Sequence, residues 1–367
     1  MVRPTGVHQF VPALLPRDAT GAHTLALRDA LREAGWTSEI YVEAAHDDLW
    51  PEAHYFEEYA ERAQPGDVLL YQVATGSPMA DFLLGRPEPL VLSYHNITPA
   101  SFYEPWEPAT AAKVDAARAQ LAALVPRAAL CMADSSFSAA ELVALGCRTP
   151  AVVPVLVEPA RFAPDPDPAE VARLRAGRDT GTVMLFVGRL SPNKAQHRLV
   201  ETLWWLRRTE DPRARLRLVG SAITPTYAEA VLRFADELGL AEAVEWGEDL
   251  TPAQLAAWYA EADVFVCQSE HEGFCIPLLE AMHFGLPVVA IARGAVPETL
   301  GGGGLLVGDG RPVSVATAIG RIVADPDLAR VLAEAGTDRL RAFSPSLVRQ
   351  QHIELLAGVH CGPGTAA

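Results

Sequence analysis

Between Ser269 and Glu280 the chain reads S-E-H-E-G-F-C-I-P-L-L-E, which sets two carboxylates, Glu272 and Glu280, on either side of a glycine-bearing turn. The preceding residues, Asp263 to Cys267, form a short apolar run of strand composition, and Pro277 suits the first turn of a helix. The order is therefore strand, polar loop, helix. A helix N-terminus carries unpaired N–H groups and partial positive charge, so the turn of Gly273, Phe274, Cys275 and Ile276 could receive a phosphate, with Gly273 allowing close backbone approach. Glu280 falls about one turn inside, and helical side chains lean towards the N-terminus, so its carboxylate can reach past that phosphate to a neighbouring ribose. Glu272 precedes the turn and flanks the same spot from the other side. The competing account makes Glu280 a partner of the helix dipole, worth about 0.3 to 1 kcal/mol, and Glu272 a solvated loop charge.

A second group of residues offers cations. The strand-like run Val183 to Val187 leads into G-R-L-S-P-N-K, so Gly188 permits a sharp turn while Arg189 and Lys194 are delivered to a strand's carboxyl end. Arginine suits a bidentate grip on phosphate oxygens, and lysine acts as a point charge. In the first half, Ser93-Tyr94-His95-Asn96 places a histidine directly after a buried strand, where it can hydrogen-bond a hydroxyl and titrates near neutrality. The triplet Asp165-Pro166-Asp167 resembles a metal-binding D-x-D, but it lies in a proline-dense stretch with no buried strand before it, and no metal is assigned to it.

These residues need a scaffold of strand ends. Apolar runs at Val7 to Val11, Glu39 to Val42, Asp67 to Gln72, Leu90 to Tyr94 and Ala129 to Ala133 alternate with helical patterns at Leu25 to Ala34, Pro108 to Leu124 and Phe137 to Leu145. The second half repeats the alternation through Arg215 to Val219, Ala243 to Trp246 and Leu286 to Ala290. Such alternation predicts parallel sheets with helices on both faces, and ligands in open sheets of this kind bind at the carboxyl ends of strands. At 367 residues, half of them hydrophobic, the chain is long enough for two cores. The proline-rich stretch from Pro150 to Pro168 marks the boundary, close to Glu158.

Composition excludes several classes. A formal net charge of -16 opposes non-specific attraction to nucleic acid or an anionic bilayer. No run approaches the roughly 20 apolar residues of a membrane span, and no signal-peptide core follows Met1, so a cytoplasmic location is expected. The five cysteines, Cys131, Cys147, Cys267, Cys275 and Cys361, form no C-x-x-C pair, and buried reduced thiols are expected rather than disulfides or zinc. No G-x-G-x-x-G follows Val11 or Val187, which argues against a nicotinamide dehydrogenase.

The segment E-G-F-C-I-P-L-L-E, continuing through E-A-M-H-F-G-L-P-V-V-A, resembles the E-x7-E signature of retaining GT-B glycosyltransferases, glycosyltransferase family 4 or glycosyl transferases group 1. Cys275 departs from the glycine that many members carry. The resemblance implies a GT-B fold: two doubly wound, Rossmann-like parallel-sheet domains facing across a cleft. Residues 1–157 would form the acceptor-side domain and 158–340 the nucleotide-sugar-binding domain. Residues 341–367 would supply a C-terminal helix packing back towards the first domain and a frayed tail.

By the same resemblance, Arg189 and Lys194 hold the donor diphosphate without a metal. The turn Gly273 to Ile276 assists them, and Gly21, in a loop spanning Pro12 to His23, approaches the diphosphate from across the cleft. Asp249 and Leu250 meet the nucleotide base, Glu280 fixes the ribose, and Glu272 and His95 face the transferred sugar as the catalytic pair. The implied activity is transfer of a hexosyl group from a nucleotide diphosphate sugar to a small-molecule or glycan acceptor, with retention, without cofactor, and with a homodimer allowed. A nucleotide-sugar epimerase or sugar phosphorylase on the same fold, and an inactive sugar-nucleotide-binding subunit, remain open as alternatives.

Overall fold

The computed structural model describes residues 4–16, 18–157, 164–177 and 181–360. Cys361, the tail from Gly362 and the boundary expected at Glu158 lie outside the described residues. The chain divides into two compact units, one of Met1–Ser101, Pro108–Glu158 and Phe343–Ala367, the other of Phe102–Glu107 and Pro159–Ala342.

The first unit is built on strands β1 (Gly6–Leu14), β2 (Ile40–Ala45), β3 (His54–Tyr55), β4 (Asp67–Val73), β5 (Leu90–Tyr94), β6 (Ala128–Ala133) and β7 (Ala151–Val152), in the order β3-β2-β1-β4-β5-β6-β7. All neighbours run parallel, with Val7 opposite Val68 in the central pair. Parallel strands covered on both faces read as continuous apolar runs, which is why β4 is buried over its whole length. Helix Pro345–Ala357 belongs to this unit, with Val348 and Leu356 buried in one cluster with Val7, Leu27 and Val68 and with Arg349 paired to Glu33 at 2.6 Å. Each such fully buried aliphatic side chain contributes about 1.5 to 3 kcal/mol.

The second unit carries β8 (Val183–Val187), β9 (Arg215–Val219), β10 (Val244–Gly247), β11 (Val264–Cys267), β12 (Val288–Ile291) and β13 (Leu305–Val307), again all parallel, in the order β10-β9-β8-β11-β12-β13. The chain winds outwards from β8 through β9 to β10, then returns to place β11 on the other side of β8. This reversal makes the β8 and β11 ends a topological switch point, where the loops diverge and leave a crevice. The segment Phe102–Glu107 joins this unit through Trp106, whose ring meets Tyr227 edge-on at 5.1 Å and whose carbonyl accepts from Thr226 Oγ1 at 3.2 Å.

Two local expectations change. The loop assigned to Pro12 to His23 is largely absent, because β1 continues to Leu14 and helix Ala19–Glu33 begins six residues before Leu25. Asp18 caps that helix by accepting from Gly21 N at 2.9 Å, so Gly21 is a residue of the first helical turn rather than of a glycine loop. Asp167 is likewise a helix cap, accepting from Ala169 N and Glu170 N ahead of helix Pro168–Ala176.

Candidate functional site

The loops after β8 and β11 are stitched together by a side chain and a backbone carbonyl of one residue. Asn193 O accepts from Glu270 N at 2.8 Å and His271 N at 3.3 Å, and Asn193 Nδ2 donates to His271 O at 3.2 Å. Arg198 adds an ion pair to Glu270 at 2.7 Å. From behind, Ala295 N donates to Glu272 O at 2.9 Å and Thr299 Oγ1 to Phe274 O at 2.6 Å. Gly294 makes the first of these contacts feasible: its φ is +53°, and a Cβ there would lie 2.5 Å from Glu272 O.

Within this frame Lys194 and Glu272 meet directly. Lys194 Nζ stands 2.8 and 2.7 Å from the two carboxylate oxygens, with the lysine side chain 20% and the glutamate 6% exposed. Burial pulls the Lys194 pKa down, but the Glu272 carboxylate outweighs it and raises the pKa above the usual lysine value. The ion pair therefore persists through neutral pH. Arg189 is exposed at the start of the same loop and close enough to act electrostatically on Lys194.

The turn that follows is tightly built. Cys275 is the N-cap of helix Ile276–His283 and sits at φ +74°, in the left-handed region where glycine is unstrained. Gly273 is half-buried and Phe274, Cys275 and Ile276 are buried. Cys275 Sγ lies 3.9 Å from Cys267 Sγ at the end of β11, and Cys267 Sγ lies 3.6 Å from Ser269 Oγ. The shared hydrogen separates the two thiols: the bond with Cys275 lowers the Cys267 pKa against its burial, and the same bond, with burial, pushes Cys275 well up. Periodicity gives no hint of this contact, because only the return of the loop after β11 brings residues 267 and 275 together.

Glu280 is 5% exposed, and its Oε2 accepts from Tyr259 OH at 2.6 Å, while the Tyr259 ring stacks on Phe284 at 5.0 Å. The sequence contains both residues but nothing that pairs them. Asp249, exposed at φ +55°, and Leu250, half-buried, follow β10 on the same carboxyl edge of the sheet.

His95 belongs to the first unit and directly follows β5. Its Nδ1 is 2.9 Å from Asp134 Oδ2 and its Nε2 2.7 Å from Gln72 Oε1. Gln72 Nε2 donates to Gln9 Oε1 at 2.8 Å, and Gln9 Nε2 to Thr24 O at 2.8 Å, so β1, β4 and β5 are cross-linked by one polar chain. The His95 ring also meets the buried His23 ring at 5.3 Å, and His23 meets His352 at 5.2 Å. Gln72 and Asp134 are residues that the sequence does not single out as partners of His95. Gly21, in its helical turn, is buried beside Leu14.

Residues 173–339 match the family described as Glycosyl transferases group 1. A GDP-mannose-dependent alpha-(1-6)-phosphatidylinositol monomannoside mannosyltransferase of Mycolicibacterium smegmatis is 38% identical over 194 residues, which cover 50% of this chain and 50% of that protein. A D-inositol 3-phosphate glycosyltransferase of Frankia alni is 34% identical over 186 residues, covering 48% of this chain and 45% of that one. The chain thus spans about half the length of these curated relatives. Among solved structures, that of Anabaena Alr3699/HepE in complex with UDP-glucose superposes with a TM-score of 0.76 at 21% identity, covering 96% of this chain and 99% of that one. No helix among the described residues is long and apolar enough to cross a membrane. The matched segment holds the whole β8 and β11 site, so residues 173–339 resemble the glycosyl transferases group 1 family, set in a chain of two parallel-sheet units with the GT-B fold.

Proposed function

We propose that this protein is a retaining hexosyltransferase that takes its sugar from a nucleotide diphosphate sugar and uses no metal. The observation that carries the reading is the convergence of Arg189, Lys194, Glu272 and the N-terminus of helix Ile276–His283 at the switch point of the second sheet. Two cations and a helix N-terminus suit a diphosphate, and they stabilise the negative charge that grows on it as the leaving group departs. The relatives' names point to GDP-mannose as one donor, and HepE is bound to UDP-glucose, so both nucleotides are reasonable probes.

Lys194 shifts its hydrogen bonds from Glu272 towards the diphosphate when donor binds. Glu272, released from Lys194, turns to the sugar and stabilises positive character at the anomeric carbon. Glu280, held by Tyr259, fixes the ribose, and Asp249 and Leu250 bound the base. His95 serves the sugar or the acceptor hydroxyl after its Nε2 exchanges Gln72 for a hydroxyl. Gly21 acts as a close backbone approach at the start of its helix. Transfer proceeds on one face of the sugar, from donor to an acceptor hydroxyl.

The test is transfer from GDP-mannose and UDP-glucose with and without EDTA, followed by NMR of the product's anomeric configuration. Retained configuration and turnover unchanged by chelator are expected. Inverted product refutes retention, and loss of turnover in EDTA with rescue by Mn²⁺ refutes metal independence. Conversion of donor without acceptor would instead identify an epimerase.

A further inference from the structure

We propose that Cys267, Cys275 and Glu272 form a binding site for one thiophilic divalent cation, Zn²⁺ or Cd²⁺, and that its occupation blocks the donor turn. The three residues offer two sulfurs and one carboxylate oxygen within 4.8 Å of one another, and all three are buried. The sulfur separation is the decisive number. Two thiolates on a tetrahedral zinc, each at about 2.3 Å, stand about 3.8 Å apart, and the two Sγ atoms are already 3.9 Å apart. The ligands are also carried by fixed backbone: Cys267 ends β11, Cys275 caps a helix, and Glu272 is pinned through its carbonyl by Ala295.

Charge favours the same occupant. With the protons of both thiols released to solvent as the ion binds, the two thiolates and the Glu272 carboxylate make three anionic ligands around a divalent ion, and a water completes the tetrahedron. The Lys194 ammonium that now neutralises Glu272 must leave. Its side chain is 20% exposed, so it has a route to solvent. Metal and ammonium thus compete for one carboxylate. The inhibitory consequence rests on the donor-site reading above, since it requires Lys194 and Glu272 to serve the nucleotide sugar; the metal site itself does not.

The experiment titrates the reduced 367-residue chain with Cd²⁺ and Co²⁺ in a phosphine reductant and reads sulfur-to-metal charge transfer and the visible Co²⁺ band of a tetrahedral site. One metal per chain is expected. Cys275→Gly should weaken binding at least tenfold, and because position 275 has φ +74° this variant keeps the turn. Cys267→Ser should do the same, Cys131→Ser should leave the titration unchanged, and Lys194→Ala should tighten it several-fold by removing the competing cation. A charge-transfer band that survives Cys275→Gly, or one that falls with Cys131→Ser, overturns the site. So does loss of two thiols to a disulfide with no metal band. Zn²⁺ should also weaken UDP or GDP binding at least tenfold in the wild type and not in Cys275→Gly. If nucleotide binds equally well with metal present, the blocking role is overturned; if it fails to bind metal-free protein, the donor reading fails and the metal site stands.

Discussion

Replacing Glu272 by glutamine should tighten the binding of a free nucleoside diphosphate while turnover collapses. In the apo site Lys194 spends its charge on Glu272, with both carboxylate oxygens within 2.8 Å. Exposed pairs of this kind are worth about 0 to 1 kcal/mol and breaking a fully buried one costs about 3 to 5. With the lysine side chain 20% and the glutamate 6% exposed, the pair falls between these limits, so about 1 to 2 kcal/mol is a fair value for what a diphosphate must overcome. Glu272→Gln removes that competition and should lower the Kd of UDP or GDP by roughly 5- to 30-fold. Lys194→Ala removes a charge-assisted bond worth about 1.5 to 3 kcal/mol and should raise the same Kd by roughly 10- to 150-fold. In the double variant the glutamate's effect should vanish, because no lysine remains to be released. Calorimetry with UDP and GDP measures the binding, and initial rates with the matching sugar nucleotide measure kcat. Weakened nucleotide binding in Glu272→Gln, to the degree seen in Lys194→Ala, would refute the competition and place Glu272 on the nucleotide itself.

Tyr259→Phe strips a 2.6 Å donor from the buried Glu280 carboxylate and should cost about 1.5 to 3 kcal/mol of stability, read by denaturant melts, together with weaker nucleoside diphosphate binding; unchanged values in both would remove Glu280 from the ribose site. Gly294→Ala forces a Cβ to 2.5 Å from Glu272 O at a φ of +53°, so it should destabilise the protein by about 1 to 3 kcal/mol and lower kcat; an unperturbed variant would show that the Glu272 backbone is not held there. Acid should loosen the first unit, because burial lowers the His352 pKa from 6.5 to about 4, with His95 lowering it further and Asp134 opposing. A group whose folded pKa is depressed as a base favours its neutral form, so stability is full above pH 6.5 and falls as pH drops towards 4, by about 3 kcal/mol in total. Hydrogen exchange in helix Pro345–Ala357 between pH 7 and 4 measures this, and a His352→Phe variant with reduced acid sensitivity is the expected control, the buried His23 accounting for what remains; equal acid sensitivity in both would refute it.

Strand and helix order, the all-parallel sheets and the position of the turn before helix Ile276–His283 were legible in the sequence because they depend on local quantities: apolar runs of strand length, a glycine before a helix, a proline in its first turn. The two cations after β8 were legible for the same reason, being adjacent to a strand end. The helix start at Ala19 was not, since the apolar pattern begins only at Leu25 and the Asp18 cap competes with many equally polar residues nearby. Partnerships were decided by the tertiary structure. Lys194 finds Glu272 across 78 residues, Tyr259 finds Glu280 across 21, and His95 finds Asp134 across 39. The first is made where a sheet order that returns from β10 to set β11 beside β8 brings distant loops to one edge, the second between two helices of that unit, and the third where β5 and β6 end side by side in the other sheet; sequence separation carries no record of these orders. The thiol pair is the sharpest case: Cys267 and Cys275 lack any metal-ligand spacing, yet the loop between them folds back so that their sulfurs stand 3.9 Å apart.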